Sequence, residues 1–178
     1  MQAAQPLLSD LAQMVKWPTD LLVRDGLSML IEASNRPVAP ITLRQFEQRR
    51  FPMLSSAAGQ IYLAHLGESE RIGLVTAALS LNETVDSTHL LAEQVYRWID
   101  EARTRGYGIR DYDAPIHGTR AFSVPVSLDG QPIAALTMIT LGDAVHPEHL
   151  TSHLIPTLQA TASKIAHEYS CRSNCDVP

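Results

Sequence analysis

Residues 106–140, GYGIRDYDAPIHGTRAFSVPVSLDGQPIAALTMIT, decide the fold class of this chain. The segment begins where a polar helix runs out at Arg105 and passes through an irregular polar stretch between Arg110 and Arg120. It then enters two apolar runs on either side of Asp129-Gly130, which is a strong signal of a β-hairpin. We expect a half-covered sheet beside a charged loop, an arrangement that can hold a small molecule and contains no recognisable catalytic motif.

The composition of the chain is that of a globular domain. Its 178 residues are 45% hydrophobic and 19% charged, enough apolar material for one domain with a buried core. The net charge of -5 argues against a free-standing nucleic-acid binder, which would carry a basic patch. The apolar runs are far shorter than the roughly 20 residues that span a membrane, and the N-terminus lacks a signal-peptide pattern. We therefore expect a cytoplasmic protein with no membrane contact.

The first forty residues predict a helix followed by a hairpin. Apolar residues at helical spacing predict a short helix at residues 7–17, and Pro18 ends it. Two strand-like runs follow at residues 19–24 and 27–33, with a turn at Asp25-Gly26 between them. This segment supplies the first half of an antiparallel sheet.

Helices are predicted for most of the remaining chain. Pro52 is expected to stop regular structure before a helix that Ser55 or Ser56 caps, and another helix begins at residue 68. Two longer helices are predicted at residues 88–105 and 147–169. Their buried sides are expected to contain Leu91, Val95, Trp98, Ile99, Ala102, Leu150, Leu154, Leu158, Ala162 and Ile165. The order of elements predicts an α/β fold, an antiparallel sheet with helices outside.

Three histidines at helical spacing raise the question of a metal site. His146, His149 and His153 would share one face at the start of the last helix. They lack a cysteine or carboxylate partner at a defined spacing, so polar residues in the first turns of a capped helix are the simpler interpretation. We expect no metal and no cofactor.

Two pairs of residues could be catalytic, redox-active or metal-binding, but each pair also has a simpler structural interpretation. Asp111 and Asp113 fall in a loop, where aspartates usually cap backbone groups. Cys171 and Cys175 lie close to the C-terminus, and their spacing alone is a weak sign of a redox or metal pair. We expect no enzyme and a loose tail after the last helix.

Arginines and serines offer a better site for an anion. Arg110 and Arg120 flank the second hairpin, where a guanidinium could hold a ligand carboxylate through a bidentate pair. A surface arginine paired with Asp111 or Asp113 is the alternative. Ser55 and Ser56 are expected to cap a helix, and a helix N-terminus with hydroxyls also suits an anion.

Three segments in register resemble the effector-binding domain of IclR-type bacterial transcriptional regulators. They are RFPMLSSAAGQIYLAHLGESER at residues 50–71, ARTRGYGIRDYDAPIHGTRAFSVPVSLDGQPIAALTMI at 102–139 and LIPTLQATASKIAHEYS at 154–170. The order and spacing of all three match the family. The run KWPTDLLVRDGLSMLIEASNRP at 16–37 resembles the branch that regulates aromatic-acid catabolism, of the hydroxyphenylpropionate-activator type.

The resemblance implies a ligand sensor with a GAF-like fold. Such regulators bind DNA through a separate N-terminal winged helix-turn-helix, which these residues do not contain, and they form homodimers and homotetramers. The implied domain covers residues 1–170, with a flexible tail at 171–178. The implied pocket lies between the curved sheet and the helix after the PML segment. Carried over by alignment, its positions are Leu54, Ser55, Leu63, Arg110, Ala121, Ser123, Thr137 and Ile139.

Two positions depart from the family pattern. The family often has an acidic residue where Arg110 stands and a cysteine where Ala121 stands, so this chain favours an anionic ligand beside a small apolar spot. The hairpin loop at Asp129 is one residue shorter than the common form, and a one-residue change can reverse which strand face points inward. Whether Ser123 and Thr137 share the pocket is therefore left open at this point.

The predicted function is a small-molecule sensor and oligomerisation domain of a transcriptional regulator. The effector is expected to be a small organic acid, with aromatic acids among the candidates. Its carboxylate is expected to contact Arg110 or Arg120. Two alternatives remain: an oligomerisation module with a vestigial pocket, and a redox sensor that uses the two cysteines.

Overall fold

The computed structural model describes residues 4–41, 49–81, 91–110 and 118–173. Six strands and several helices make up this part of the chain. Strands are β1 (Thr19–Asp25), β2 (Ser28–Ser34), β3 (Arg50–Pro52), β4 (Gly108–Arg110), β5 (Thr119–Leu128) and β6 (Gln131–Leu141). Helices are α1 (Ala4–Val15), α2 (Ala57–His65), α3 (Glu68–Ser80), α4 (Ala92–Arg105), α5 (Pro147–His149) and α6 (Ile155–Ser173), with a π-helical turn at Leu150–Leu154 between the last two.

The described strands form one antiparallel sheet in the order β3-β2-β1-β6-β5-β4. The two predicted hairpins lie side by side, because β1 of the first pairs with β6 of the second. Helices cover both faces of this sheet. The predicted fold class, an α/β fold with an antiparallel sheet flanked by helices, is confirmed.

The second hairpin turn lies where its residues predict it, whereas the first lies at Gly26-Leu27, one residue later than predicted, because Asp25 still pairs with Ser28. Gly26 has a φ of 62° and opens the two-residue turn between β1 and β2. Asp129 and Gly130 have φ values of 51° and 78°, the left-handed pair that a type I′ turn requires. A β-bulge then leaves Ile133 without a partner, since Val126 pairs with Ala134 and Ser127 with Pro132. Beyond this bulge the register brings residues 121 and 123 opposite 139 and 137.

The alternation of side chains along β5 and β6 separates two apolar clusters. Phe122, Val124, Leu136 and Met138 point to one face, where α1, the π-helical turn and α6 cover them. On the opposite face, α2 packs over the sheet and α4 packs against α2 and β4, in a cluster that includes Leu22, Met29 and Ala135. The predicted buried side of the last helix is confirmed, because Leu150, Leu154, Leu158, Ala162 and Ile165 are all buried.

Several predicted elements have different bounds or contents. Residues beside Pro52 form the edge strand β3, and those at 108–110 form the edge strand β4, which the sequence pattern did not reveal. Pro52 has no N–H to donate, and an edge strand can accommodate this because it has a partner strand on one side only. The helix predicted from residue 88 is described from Ala92 onward, and Leu91 is 67% exposed instead of buried. Helix α6 continues through Ser173, beyond the predicted domain boundary at residue 170.

Candidate functional site

A cavity lies between the inner face of the sheet and the N-terminus of α2. Its empty space is about 350 Å³ with the open mouth included, of which the centre of a water molecule can reach about 30 Å³. The cavity is therefore narrow in this conformation. The residues that line it are Asp20, Leu22, Phe51, Ser56, Ala57, Ala58, Arg110, Ala121, Thr137 and Ile139.

The floor of the cavity belongs to two rows of side chains that the strand register fixes. In the first row, Asp20 of β1 pairs with Thr137 of β6, which pairs with Ser123 of β5. In the second row, Ile139 of β6 pairs with Ala121 of β5, which pairs with Arg110 of β4. Residues two apart on a strand share a face, so both rows point toward α2. The floor thus has a polar end at Asp20, an apolar middle and a cation at the β4 edge.

The N-terminus of α2 forms the opposite wall. Ser56 is its N-cap, and the Ser56 Oγ accepts a hydrogen bond of 3.1 Å from the backbone N–H of Gly59. Ser56, Ala57 and Ala58 line the cavity, so the first turn of the helix faces it. Backbone N–H groups and the positive end of the helix dipole favour an anion at such a position.

Two glycines allow the backbone to close around this wall. A Cβ atom added to Gly108 would lie 2.2 Å from the carbonyl oxygen of Ala57, and one added to Gly59 would lie 1.8 Å from that of Met53. Strand β4 therefore packs directly against the first residue of α2. Arg110 lies two residues beyond Gly108 on the same face of β4. The contact between Gly108 and Ala57 therefore places Arg110 beside the cavity.

Arg110 is a buried cation in this wall. The residue is only 7% exposed, and its Nη2 donates a hydrogen bond of 3.2 Å to the Thr119 Oγ1. A guanidinium is the side chain best suited to bidentate recognition of a carboxylate, and it stays protonated when buried. Among the lining residues that the structure describes, Arg110 is the cation and Asp20 is the carboxylate.

Asp20 lies at the other end of the floor and is paired within the wall. The residue is 1% exposed. Its Oδ1 accepts hydrogen bonds from the Ser34 Oγ at 2.7 Å and the Arg36 Nε at 3.0 Å, while its Oδ2 accepts one from the Arg36 Nη2. A buried carboxylate requires such a partner, because leaving water costs a charged group several kcal/mol. Arg36 therefore balances the charge that Asp20 brings to the cavity.

The structure places part of the predicted pocket at the cavity. Arg110, Ala121, Thr137 and Ile139 line it. Leu54 and Leu63 belong instead to the apolar cluster of α2 and α4, and Ser55 precedes the cap. Ser123 is fully buried behind Thr137, with the Ser123 Oγ 2.9 Å from the Thr137 Oγ1. These four lie outside the lining.

Arg120 does not share the cavity with Arg110. It alternates with Ala121 along β5 and so points to the opposite face of the sheet. There its Nη1 lies 3.4 Å from the Asp143 Oδ1, and its guanidinium carbon lies 5.9 Å from the centre of the Phe122 ring. Of the two arginines, Arg110 is the one that lines this cavity.

Sequence reasoning did not place Asp20, Leu22, Phe51, Ala57 and Ala58 at the site. The two β1 residues arrive there only through the pairing of the first hairpin with the second, which local patterns do not encode. A signal for Asp20 existed, however. A carboxylate inside an apolar strand such as TDLLV is unusual, and buried carboxylates need a partner.

The remaining candidate residues have structural roles or lie outside the described residues. The ring of His146 accepts a hydrogen bond from the backbone N–H of Glu148, and the rings of His149 and His153 stack 5.2 Å apart. Cys171 is exposed on α6, with its Sγ 3.8 Å from the Nδ1 of His167. Asp111, Asp113 and Cys175 are outside the described residues.

Within the described ranges, no group of three His, Cys, Asp or Glu side chains is arranged to hold a metal ion. A search of the same residues for helices long and apolar enough to cross a membrane found none.

Comparison with known proteins identifies relatives of the whole chain. The family described as Bacterial transcriptional regulator IclR C-terminal matches residues 1–167. The HTH-type transcriptional regulator XynR of Escherichia coli is 27% identical over 153 residues, which are 85% of this chain and 60% of XynR. The chain thus spans less than two thirds of the length of this relative. The matched family and XynR are transcriptional regulators, not enzymes.

Solved structures share the fold. The C-terminal domain of the E. coli regulator KdgR is 24% identical, with a TM-score of 0.74 over 93% of this chain and 95% of that one. A double mutant of the PobR inducer-binding domain from Acinetobacter, in complex with 3-hydroxybenzoic acid, is 20% identical, with a TM-score of 0.74 over 93% and 96%. At these identities the likeness is one of fold.

Proposed function

This chain belongs to the family of C-terminal, effector-binding domains of IclR-type bacterial transcriptional regulators, and we propose that its cavity binds a small organic acid as the effector. The observation that carries the proposal is the buried Arg110 beside the N-terminus of α2. Both features favour a negative charge at the same end of the cavity.

The apolar residues of the cavity define the rest of the ligand. Leu22, Phe51, Ala121 and Ile139 offer a surface for a hydrocarbon body, and Ala121 leaves space close to Arg110. Pockets for small molecules commonly combine an apolar lining with a few polar groups that fix orientation. The small volume of the cavity favours a two- or three-carbon acid, whereas a ring-sized acid requires side chains at the mouth to move outward. The complex of the PobR domain with 3-hydroxybenzoic acid supports the ring-sized class.

Regulation requires that the ligand favour one arrangement of the complete protein over another. In the proposed mechanism, an acid bound between α2 and β4 changes how closely these elements approach. That change reaches an N-terminal winged helix-turn-helix through contacts between subunits of a homodimer or homotetramer in the cytoplasm. The approach of Gly108 to Ala57 makes the α2-β4 contact sensitive to small displacements.

Calorimetric titration of matched arginine variants tests the proposal. Hydroxyphenylpropionate, phenylacetate, pyruvate and glyoxylate are titrated into the protein and into the variants Arg110→Gln and Arg120→Gln. We expect at least one acid to bind, and Arg110→Gln to raise its Kd by roughly ten- to a hundredfold, because a charge-assisted hydrogen bond contributes about 1.5 to 3 kcal/mol. Arg120→Gln, on the opposite face, is expected to change the Kd by less than about twofold.

Two results would contradict the proposal. Equal effects of the two variants would show that the acid does not bind at this cavity. Failure of every acid to bind, with an unchanged melting temperature and a stable oligomer, would favour the alternative of an oligomerisation module with a vestigial pocket.

A further inference from the structure

We propose that Thr119 is a positioning residue that makes the cavity selective for an anion, because it holds the buried Arg110 guanidinium in one orientation. The proposal rests on the proposed function, since it takes a carboxylate at Arg110 as given. Thr119 is not one of the described residues that line the cavity, so it acts through Arg110 and not by touching the ligand. It decides how strongly the cavity prefers an acid to an uncharged ligand of the same shape.

The pairing of β4 with β5 places Thr119 beside Arg110. Arg110 lies opposite Ala121, and Thr119 lies two residues before Ala121 on β5. Its side chain is therefore on the same face of the sheet and diagonal to Arg110. Diagonal neighbours are within reach of a long side chain. The hydrogen bond of 3.2 Å from the Arg110 Nη2 to the Thr119 Oγ1 thus follows from the strand register.

The Thr119 hydroxyl has a well-determined place. The residue is 8% exposed and pairs with Leu141 at the first position of β5. Just before it, the carbonyl oxygen of Gly118 accepts a hydrogen bond of 2.6 Å from the backbone N–H of Gly142. Two substituents on the Cβ atom of a threonine also restrict its χ1 angle. Both the backbone and the side chain therefore limit where the Oγ1 can lie.

A fixed partner matters for Arg110 because an arginine side chain has several rotatable bonds. The rotamer freedom that such a side chain loses on binding weakens the affinity for the ligand. Freedom that is already lost in the unliganded protein does not. A guanidinium has several N–H donors, so a hydrogen bond to Thr119 is compatible with a bidentate pair with a carboxylate. Thr119 therefore preorganises Arg110 for an acid.

The benefit of this preorganisation depends on the charge of the ligand. A hydrogen bond between a guanidinium and a carboxylate is roughly twice as strong as one between neutral groups. A primary amide of the same shape has no charge and gains less from a well-oriented guanidinium. Loss of the Thr119 hydroxyl is therefore expected to weaken binding of an acid more than binding of its amide. A threonine that only stabilised the fold would affect both ligands alike.

Calorimetric titration of Thr119→Val tests the proposal, because valine keeps the shape of threonine and removes the hydroxyl. The probes are hydroxyphenylpropionate, phenylacetate, pyruvate and glyoxylate, each beside its primary amide. For the acid that binds the wild-type protein most tightly, we expect Thr119→Val to raise the Kd about three- to thirtyfold, within the range of coupling in one hydrogen-bond network. The Kd of its amide is expected to rise by less than about twofold.

Three further variants assign the effect to the hydroxyl and to Arg110. Thr119→Ser keeps the hydroxyl and is expected to bind the acid within about threefold of the wild-type protein. Thr140→Val makes the same change at a buried threonine on the opposite face, whose Oγ1 has no hydrogen-bond partner among the described residues, and it is expected to leave the Kd unchanged. Once Arg110 is replaced by glutamine, adding Thr119→Val is expected to cause no further loss.

Melting temperatures are measured first, and Thr119→Ala takes the place of Thr119→Val if the valine variant does not fold. An unchanged Kd for the acid in this variant would overturn the proposal and leave the proposed function intact. Equal losses for acid and amide, or the same loss with and without Arg110, would overturn it as well. Failure of every acid to bind the wild-type protein, or an Arg110→Gln variant that binds normally, would instead count against the proposed function.

Discussion

Replacing Gly59 by alanine is expected to destabilise the domain by about 3 kcal/mol or more, at the upper end of overpacking substitutions. The new Cβ would lie 1.8 Å from the Met53 carbonyl oxygen and 2.5 Å from its carbonyl carbon. These are backbone atoms, so no side-chain rotation can relieve the clash. Either α2 or the segment after β3 must move, and the wall of the cavity moves with it.

The matched control is Gly73→Ala. Gly73 lies inside α3, and a Cβ added there would meet nothing within 4 Å. Alanine is expected to be neutral or to stabilise by up to about 1 kcal/mol, since it is the better helix former. Urea unfolding followed by circular dichroism measures both variants at one protein concentration. Equal stabilities of the Gly59 and Gly73 variants would show that α2 does not approach the chain as closely as described.

Arg36→Ala is expected to cost about 3 to 5 kcal/mol, the range for removing one partner of a buried ion pair. Asp20 is 1% exposed, and of its hydrogen bonds with the described residues the one from Ser34 would remain. The loss arises from a charge that stays buried without its counter-ion. Adding Asp20→Asn to the Arg36 variant removes that charge and is expected to restore part of the stability.

The control for this prediction is Arg24→Ala. Arg24 forms a more exposed ion pair with Glu70, with an N–O distance of 3.6 Å and side chains 37% and 50% exposed. Such pairs contribute about 0 to 1 kcal/mol. Thermal unfolding compares the variants. A loss for Arg36→Ala no larger than that for Arg24→Ala would contradict the burial of Asp20, and with it the polar end of the cavity.

The features of the fold that local patterns encode were predictable from the sequence. Each hairpin carries a glycine where the turn needs a positive φ, at Gly26 and Gly130. Apolar residues recur at helical spacing from Leu150 to Ile165, and a repeat of this length is easy to recognise in a sequence. The edge strands β3 and β4 were missed because three residues show no periodicity, and their strand character comes from pairing with β2 and β5.

The candidate site was predictable only in part, for the same physical reason. The resemblance to a family supplied Arg110, Ala121, Thr137 and Ile139 through the second hairpin, whose register its own turn determines. Asp20 comes from a strand more than a hundred residues away in sequence from its neighbour Thr137. Its pairing with Arg36 depends on the chain turning back after β2. Such contacts follow from assembly of the whole sheet.

The central claim, that a small organic acid binds with its carboxylate at Arg110, is tested most directly by a crystal structure of the protein soaked with hydroxyphenylpropionate. The account predicts density between α2 and the sheet, with the carboxylate within hydrogen-bond distance of the Arg110 guanidinium. Density for the acid at another place, or with its carboxylate turned away from Arg110, would contradict the account.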